Sequence, residues 1–299
     1  MTLSNLNLNY LSSGLVMAFL IYLAGCHKNP SVVTDQSIFV TEPVAYDLDP
    51  QSIAEASGIA DSRINQGYMW VHEDSGSPNR LFLLGHDGKV RKTVVLSGIS
   101  NRDWEDIALA KGPDPALDYI YIAETGDNGL RYADYAIHRF PEPSLTVDTV
   151  RQINTIKFKY PDGKHDAEAI LVDDLYKEIY IITKRDTVSK IYRLNAGYKT
   201  SGINDAEYVG SLKFNGVVSA CLSPDRRELM VKTYADIHYF TVGEGESLDK
   251  VLQQTPTKIS YKAEPQGEAV TFALDNSGFF TLSEKSFSTM VRLYKYKRR

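Results

Sequence analysis

One short phrase recurs five times along the chain: EASGIADS at residues 55–62, then WEDIALAK, AEAILVDD, VSACLSPD and GEAVTFAL. Aligned, the copies place Ser57, Glu105, Glu168, Ser219 and Glu268 in one column. Successive members lie about 48, 63, 51 and 49 residues apart, the spacing of a repeat array rather than of a local motif. Each phrase is followed by a second run rich in β-branched and aromatic residues and bounded by turn residues: YMWVHEDSG, YIYIAETGDNG, EIYIITKRD, ELMVKTYAD and GFFTLSEKS. Third runs (RLFLLGHDG, YAIHRF, KIYRL, IHYFTV, VRLYKYK) and fourth runs (VRKTVVLSG, NTIKFKYPDG, AEYVGSLKF, PTKISYKAE) complete the units.

Five units of four strands describe an all-β, five-bladed β-propeller in which the last unit lacks its fourth strand. The unmatched run SIFVTEPVAYDL precedes the first phrase, so residues 38–48 are expected to close the ring by completing the last blade and removing an exposed edge. The 63-residue interval leaves a six-bladed ring as the alternative. With 43% hydrophobic and 24% charged residues, 299 positions suffice for a large core. The net charge of −5 gives no reason to expect a nucleic acid polymer as partner.

The N-terminus carries the run GLVMAFLIYLAG, too short for a membrane span of about 20 residues but of signal-peptide length. It ends in Leu23-Ala24-Gly25-Cys26, which resembles the lipobox of bacterial lipoproteins, although no Lys or Arg precedes it. The resemblance implies a signal peptide over 1–25, lipidation of Cys26, a tether over 26–37 and a single domain over 38–299. It also implies attachment to a bacterial membrane, on the periplasmic or surface side; separately, the chain is expected to be a monomer. Cys221 would then be the only free thiol of the folded part, leaving no internal disulfide.

In a propeller the first strand of every blade lines the axis, so the column becomes a ring. Three carboxylates converging with two serine hydroxyls raise one another's pKa or need a counter-ion. A hard cation such as Ca²⁺ takes such oxygen donors, and a ring without His or Cys argues against zinc or copper. The bland alternative pairs the glutamates with Lys184, Arg185, Lys232 and Lys285 at the ends of second strands. The second-strand ends would share the same mouth, where Lys184 and Arg185 could neutralise a phosphate and Glu73, Asp74 or Asp127 could act as base toward water. No GxxxxGK, HExxH, G-x-S-x-G or CxxC is present, and ETGDNG lacks the spacing of an EF-hand loop.

The order Ser, Glu, Glu, Ser, Glu on successive inner strands of five blades resembles the calcium-activated nucleotidases, secreted apyrases that split nucleoside di- and triphosphates around an axial calcium. That resemblance implies Ser57, Glu105, Glu168, Ser219 and Glu268 as calcium ligands and a phosphorylated small molecule as substrate. The family's Asp-Asp-Arg-Thr-Gly motif corresponds to His72-Glu73-Asp74-Ser75-Gly76, with Arg80 the nearest replacement for its arginine, and its paired arginines correspond to Lys184-Arg185. A fainter resemblance links the chain to the phytase-like esterase propellers. Two other classes are compatible with the same ring: a non-catalytic binding or scaffold propeller with a structural calcium, and a glycan-binding or glycan-cleaving propeller.

Overall fold

The computed structural model describes residues 38–49, 52–285 and 290–299; the signal peptide, the Cys26 lipobox and the tether lie outside the described residues. Five antiparallel blades follow the repeat. The first is β2 (Ala56–Asp61), β3 (Tyr68–Glu73), β4 (Arg80–Gly85) and β5 (Val90–Leu96), preceded in the chain by β1 (Val44–Asp47). The second holds β6 (Trp104–Lys111), β7 (Asp118–Glu124), β8 (Tyr135–Pro141) and β10 (Asn154–Lys159), with the short β9 (Thr149–Val150) before its last strand. The third holds β11 (Ala167–Asp173), β12 (Glu178–Thr183), β13 (Lys190–Leu194) and β15 (Glu207–Ser211), with β14 (Ile203–Asp205) before its last strand. The fourth runs β16 (Val217–Leu222), β17 (Glu228–Thr233), β18 (Ile237–Thr241), helix α1 (Leu248–Leu252) and β19 (Thr257–Ile259). The fifth contains β20 (Gly267–Phe272), β21 (Gly278–Ser283) and β22 (Arg292–Lys297).

The ring closes as the sequence requires. β1 pairs antiparallel with β22, from Val44 opposite Lys295 to Asp47 opposite Arg292, and a bridge joins Phe39 to Arg298. Phe39 is buried, edge-on to Phe279 at 4.9 Å, and burial of a phenylalanine stabilises by about 2–3 kcal/mol. Inner strands pack side by side around the axis, β2 beside β6, then β11, β16 and β20, which returns to β2. The long second interval does not hide a sixth blade. Its extra residues make β9, which adds in parallel to the outer edge of β5, while β14 of the next interval caps β10 in the same way. Two blade edges that would expose unpaired backbone are thereby covered.

Packing between blades follows from the alternation of the strands. Between the second and third blades, Tyr121, Tyr135, Phe158, Ile170, Ile181 and Tyr192 form one cluster, and most of the chain's abundant tyrosine serves such interfaces.

Candidate functional site

Every inner strand slips by one residue against its neighbour near its start, a β-bulge repeated in all five blades. The residue left out of the ladder is Ser57, Glu105, Glu168, Val218 and Glu268 in turn. Bulges re-aim side chains, and here each carries the ring position. The expected order Ser, Glu, Glu, Ser, Glu is therefore corrected in the fourth blade. Val218 holds the ring position and Ser219 falls one residue further on, level with Asp106 of the second blade, to which it donates a hydrogen bond of 3.1 Å. A one-residue slip in a sequence with Val217-Val218-Ser219 is easily made, because only pairing distinguishes the two registers.

Each bulge lies opposite the end of the second strand of its blade, so the second-strand ends surround the same mouth, as expected. Two triplets of carboxylates converge there: Asp74, Asp103 and Glu105, and Glu105, Asp166 and Glu168, each with oxygens within 4.8 Å of one another. Glu105 belongs to both. Asp103 and Asp166 escape a reading based on the column, yet a signal exists, because each stands two residues before its glutamate, as Asp103-Trp104-Glu105 and Asp166-Ala167-Glu168. Gly126 makes room for them: a Cβ there would collide with the Glu105 and Asp103 carboxylates. The Ser57 hydroxyl donates to the Glu105 carbonyl at 2.7 Å.

The electrostatics are those of crowded, dry acids. Burial first, then the charges of Glu168, Asp74, Asp103 and Asp166, raise Glu105 well above the ordinary carboxylate range. Burial pushes Glu168 up to about 8, opposed by Lys184 and reinforced by Glu268. Asp103 is pushed up to about 6 by burial and Asp74, and Glu284 on the same rim to about 7 by burial and Glu268. Lys184 is the internal counter-ion. It pairs with Glu168 and donates to the Tyr234 hydroxyl at 3.0 Å, while Tyr234 donates to Glu268. Burial works against the ammonium, but Glu168 and Glu268 hold it above its ordinary value. One ammonium cannot balance this many carboxylates, which is why Lys184 and Glu168 are both raised.

The remaining expected residues separate by their partners. Glu73 is buried and engaged, accepting from the Ala54 amide at 3.0 Å and from Arg80 at 3.1 Å. Asp127 is saturated by the Arg131 and Tyr132 amides at 2.6 and 3.0 Å and by the Tyr135 hydroxyl at 2.9 Å, so it shapes the turn and is unavailable as a base. Arg185 donates to Asp166 at 2.6 Å and to Asn128, with half of its side chain exposed at the rim. Asp74 accepts from the Ser75 amide and remains partly exposed, raised by burial against the pull of that amide and of Lys184. Lys232 pairs with Glu264 and makes no ion pair with the ring glutamates, although its charge acts on Glu268.

The donor set fits a hard cation: carboxylate oxygens from three successive blades and no nitrogen or sulfur ligand. The other end of the axis is different. There a cavity of about 50 Å³ is walled by the far ends of the inner strands, among them Ile107, Ile170, Ala220 and Phe272.

No family model and no curated protein sequence matches the chain. Among solved structures, the chain is similar to a gluconolactonase from Xanthomonas campestris, at 14% identity over 87% of this chain and 91% of that one, with a TM-score of 0.48. A luciferin-regenerating enzyme matches at 10% identity over 86% and 95% of the two chains, also with a TM-score of 0.48. A nidogen/laminin complex matches at 12% identity over 76% and 72%, with a TM-score of 0.45. Likeness at this level says nothing about activity, which has to be read from the mouth itself.

Proposed function

We propose that the protein is a calcium-dependent hydrolase of phosphorylated small molecules, with nucleotides as the first class to test. We further propose that a lipid on Cys26 holds it as a monomer at the cell envelope. The observation that carries the reading is the convergence of Glu105 with Asp103 and Asp74 on one side and with Asp166 and Glu168 on the other, beside Lys184 and Arg185. Calcium bound there would supply positive charge to a phosphate oxygen and acidify a coordinated water. Lys184 is placed to exchange Glu168 for a phosphate oxygen, and Arg185 to meet another from the rim. Asp74, partly exposed at the mouth, would orient the water and take its proton.

The test is phosphate release from a panel of nucleotides and sugar phosphates, with Ca²⁺ or EDTA, for the wild type and Glu168→Gln. Release only by the wild type with calcium is expected, and equal release in all arms overturns the hydrolase. One observation favours a second reading. Lys184 already offsets part of the ring's charge, as a scaffold with a structural ion would need. Chelation would then lower the melting temperature while no substrate turns over. The anchor is tested apart from the chemistry, because Cys26→Ser should move the protein from the membrane to the soluble fraction.

A further inference from the structure

A second polar site lies between the second and third blades at the end of the ring away from the carboxylates. β6 runs from Trp104, beside the mouth, to Lys111, and its eight residues cover about 23 Å. At the Lys111 end opens a cleft of about 720 Å³, the size of a small-molecule site. Its floor includes Arg139, and its walls include Tyr121, Tyr198, Lys111, Lys177 and Lys199.

Arg139 is the unusual member. It is only 7% exposed and makes no ion pair with any carboxylate among the described residues. Its two terminal nitrogens donate to neutral groups, the Tyr198 hydroxyl at 3.3 Å and the Asn154 side chain at 3.2 Å, and its buried Nε has no acceptor. Three tyrosine rings, of Tyr119, Tyr121 and Tyr198, stand 5.8–6.0 Å from the guanidinium carbon. Such contacts return less than burying an unpaired cation costs. Lysines at the rim add to the imbalance. Lys111 pairs with Asp118, but Lys177 and Lys199 make no ion pair among the described residues. The two acids of the lining are spent elsewhere, Asp173 on Arg226 and Asp174 on Arg63.

We propose that this cleft binds a small anion, its carboxylate or phosphate group held by Arg139 and the rim lysines and its ring or chain packed on Tyr121 and Tyr198. A guanidinium recognises the planar carboxylate and the phosphate with paired N–H groups, and a lysine at the same place cannot. The site stands apart from the carboxylate mouth and does not depend on the activity proposed for it.

Binding is measured by calorimetric titration and thermal shift of the full chain with inorganic phosphate, a sugar phosphate and a uronate, all in EDTA so that the mouth is silent. At least one probe is expected to bind and to raise the melting temperature. Arg139→Lys should weaken that binding about tenfold or more. Lys177→Glu with Lys199→Glu, two exposed changes that leave the packing alone, should weaken it and reduce its salt dependence. Glu168→Gln should leave it unchanged. Absence of binding by all three probes, or binding indifferent to both the arginine and the lysine variants, overturns the proposal. Binding lost in Glu168→Gln would assign the anion to the mouth instead.

Discussion

Asp106 and Ser219, 113 residues apart in sequence, meet inside the ring, the Ser219 hydroxyl donating to Asp106 Oδ1 at 3.1 Å. The other carboxylate oxygen accepts from the Ile170 and Ala220 amides at 3.0 and 3.3 Å, and the Ser219 hydroxyl oxygen accepts from the Val270 amide at 3.3 Å. Four blades are tied together by two side chains. Burial, opposed by these donors, pushes Asp106 up to about 7.

Ser219→Ala should therefore lower stability by about 1–2 kcal/mol, the cost of leaving a buried acceptor and an amide short of a partner, and leave calcium affinity as it was. Glu168→Gln should do the reverse. Chemical denaturation and calcium titration of both variants check this, and a drop in calcium affinity for Ser219→Ala would return the serine to the ligand set.

Without a cation, acid should stabilise the protein. Glu168 binds its proton more tightly when folded, with a value of about 8 against an ordinary 4.5. Its contribution is then complete below pH 4.5 and is lost as pH rises through about 8. Glu105 is raised in the same direction. Melting temperature in EDTA should fall as pH is raised through this window, and saturating calcium should remove the fall, because the cation binds the ionised form of the folded state only. A melting curve series with the same slope in EDTA and in calcium would remove the cation from the mouth.

Lys184 competes with the cation for Glu168. Lys184→Met should tighten calcium binding about tenfold, lower the melting temperature in EDTA and abolish phosphate release, since the same lysine is proposed to hold the phosphate. Calcium titration and phosphate release measured together separate the two roles. Weaker calcium binding in this variant would mean that the ammonium organises the carboxylates rather than opposing the ion.

Lys232 is fully buried, donates to the Gly267 carbonyl at 2.7 Å and stands 3.9 Å from Glu264, which burial pushes up to about 7 despite the lysine and Thr281. Lys232→Met should cost about 3–5 kcal/mol, and adding Glu264→Gln should recover a large part of it, because a lone buried charge costs more than the pair contributes. Denaturation of the single and double variants measures the coupling, and additive losses would show that the two residues act independently.

The five-fold phrase, the strand runs and the orphan N-terminal strand read out the blade count and the closure, because both follow from alternation and periodicity, which are properties of neighbouring residues. Glu105, Glu168 and Glu268 were legible as a ring for the same reason. Ser219 was not, since Val218 and Ser219 are both compatible with an inner strand and only the bulge shows which one is left out of the ladder. Asp127 and Glu73 read as free acids at strand ends, although their oxygens are occupied by the Tyr135 hydroxyl and by Arg80. Such partners come from neighbouring segments whose approach leaves no mark in the local pattern.

Arg139 shows the same limit from the other side. In β8 it is one cationic residue within YAIHRF, ordinary by spacing and composition. Local periodicity sets strands, blades and ring positions along the chain, through backbone geometry alone. Which charges meet, which are neutralised and which are left without a partner depends on distances between blades, and these exist only once the ring has closed.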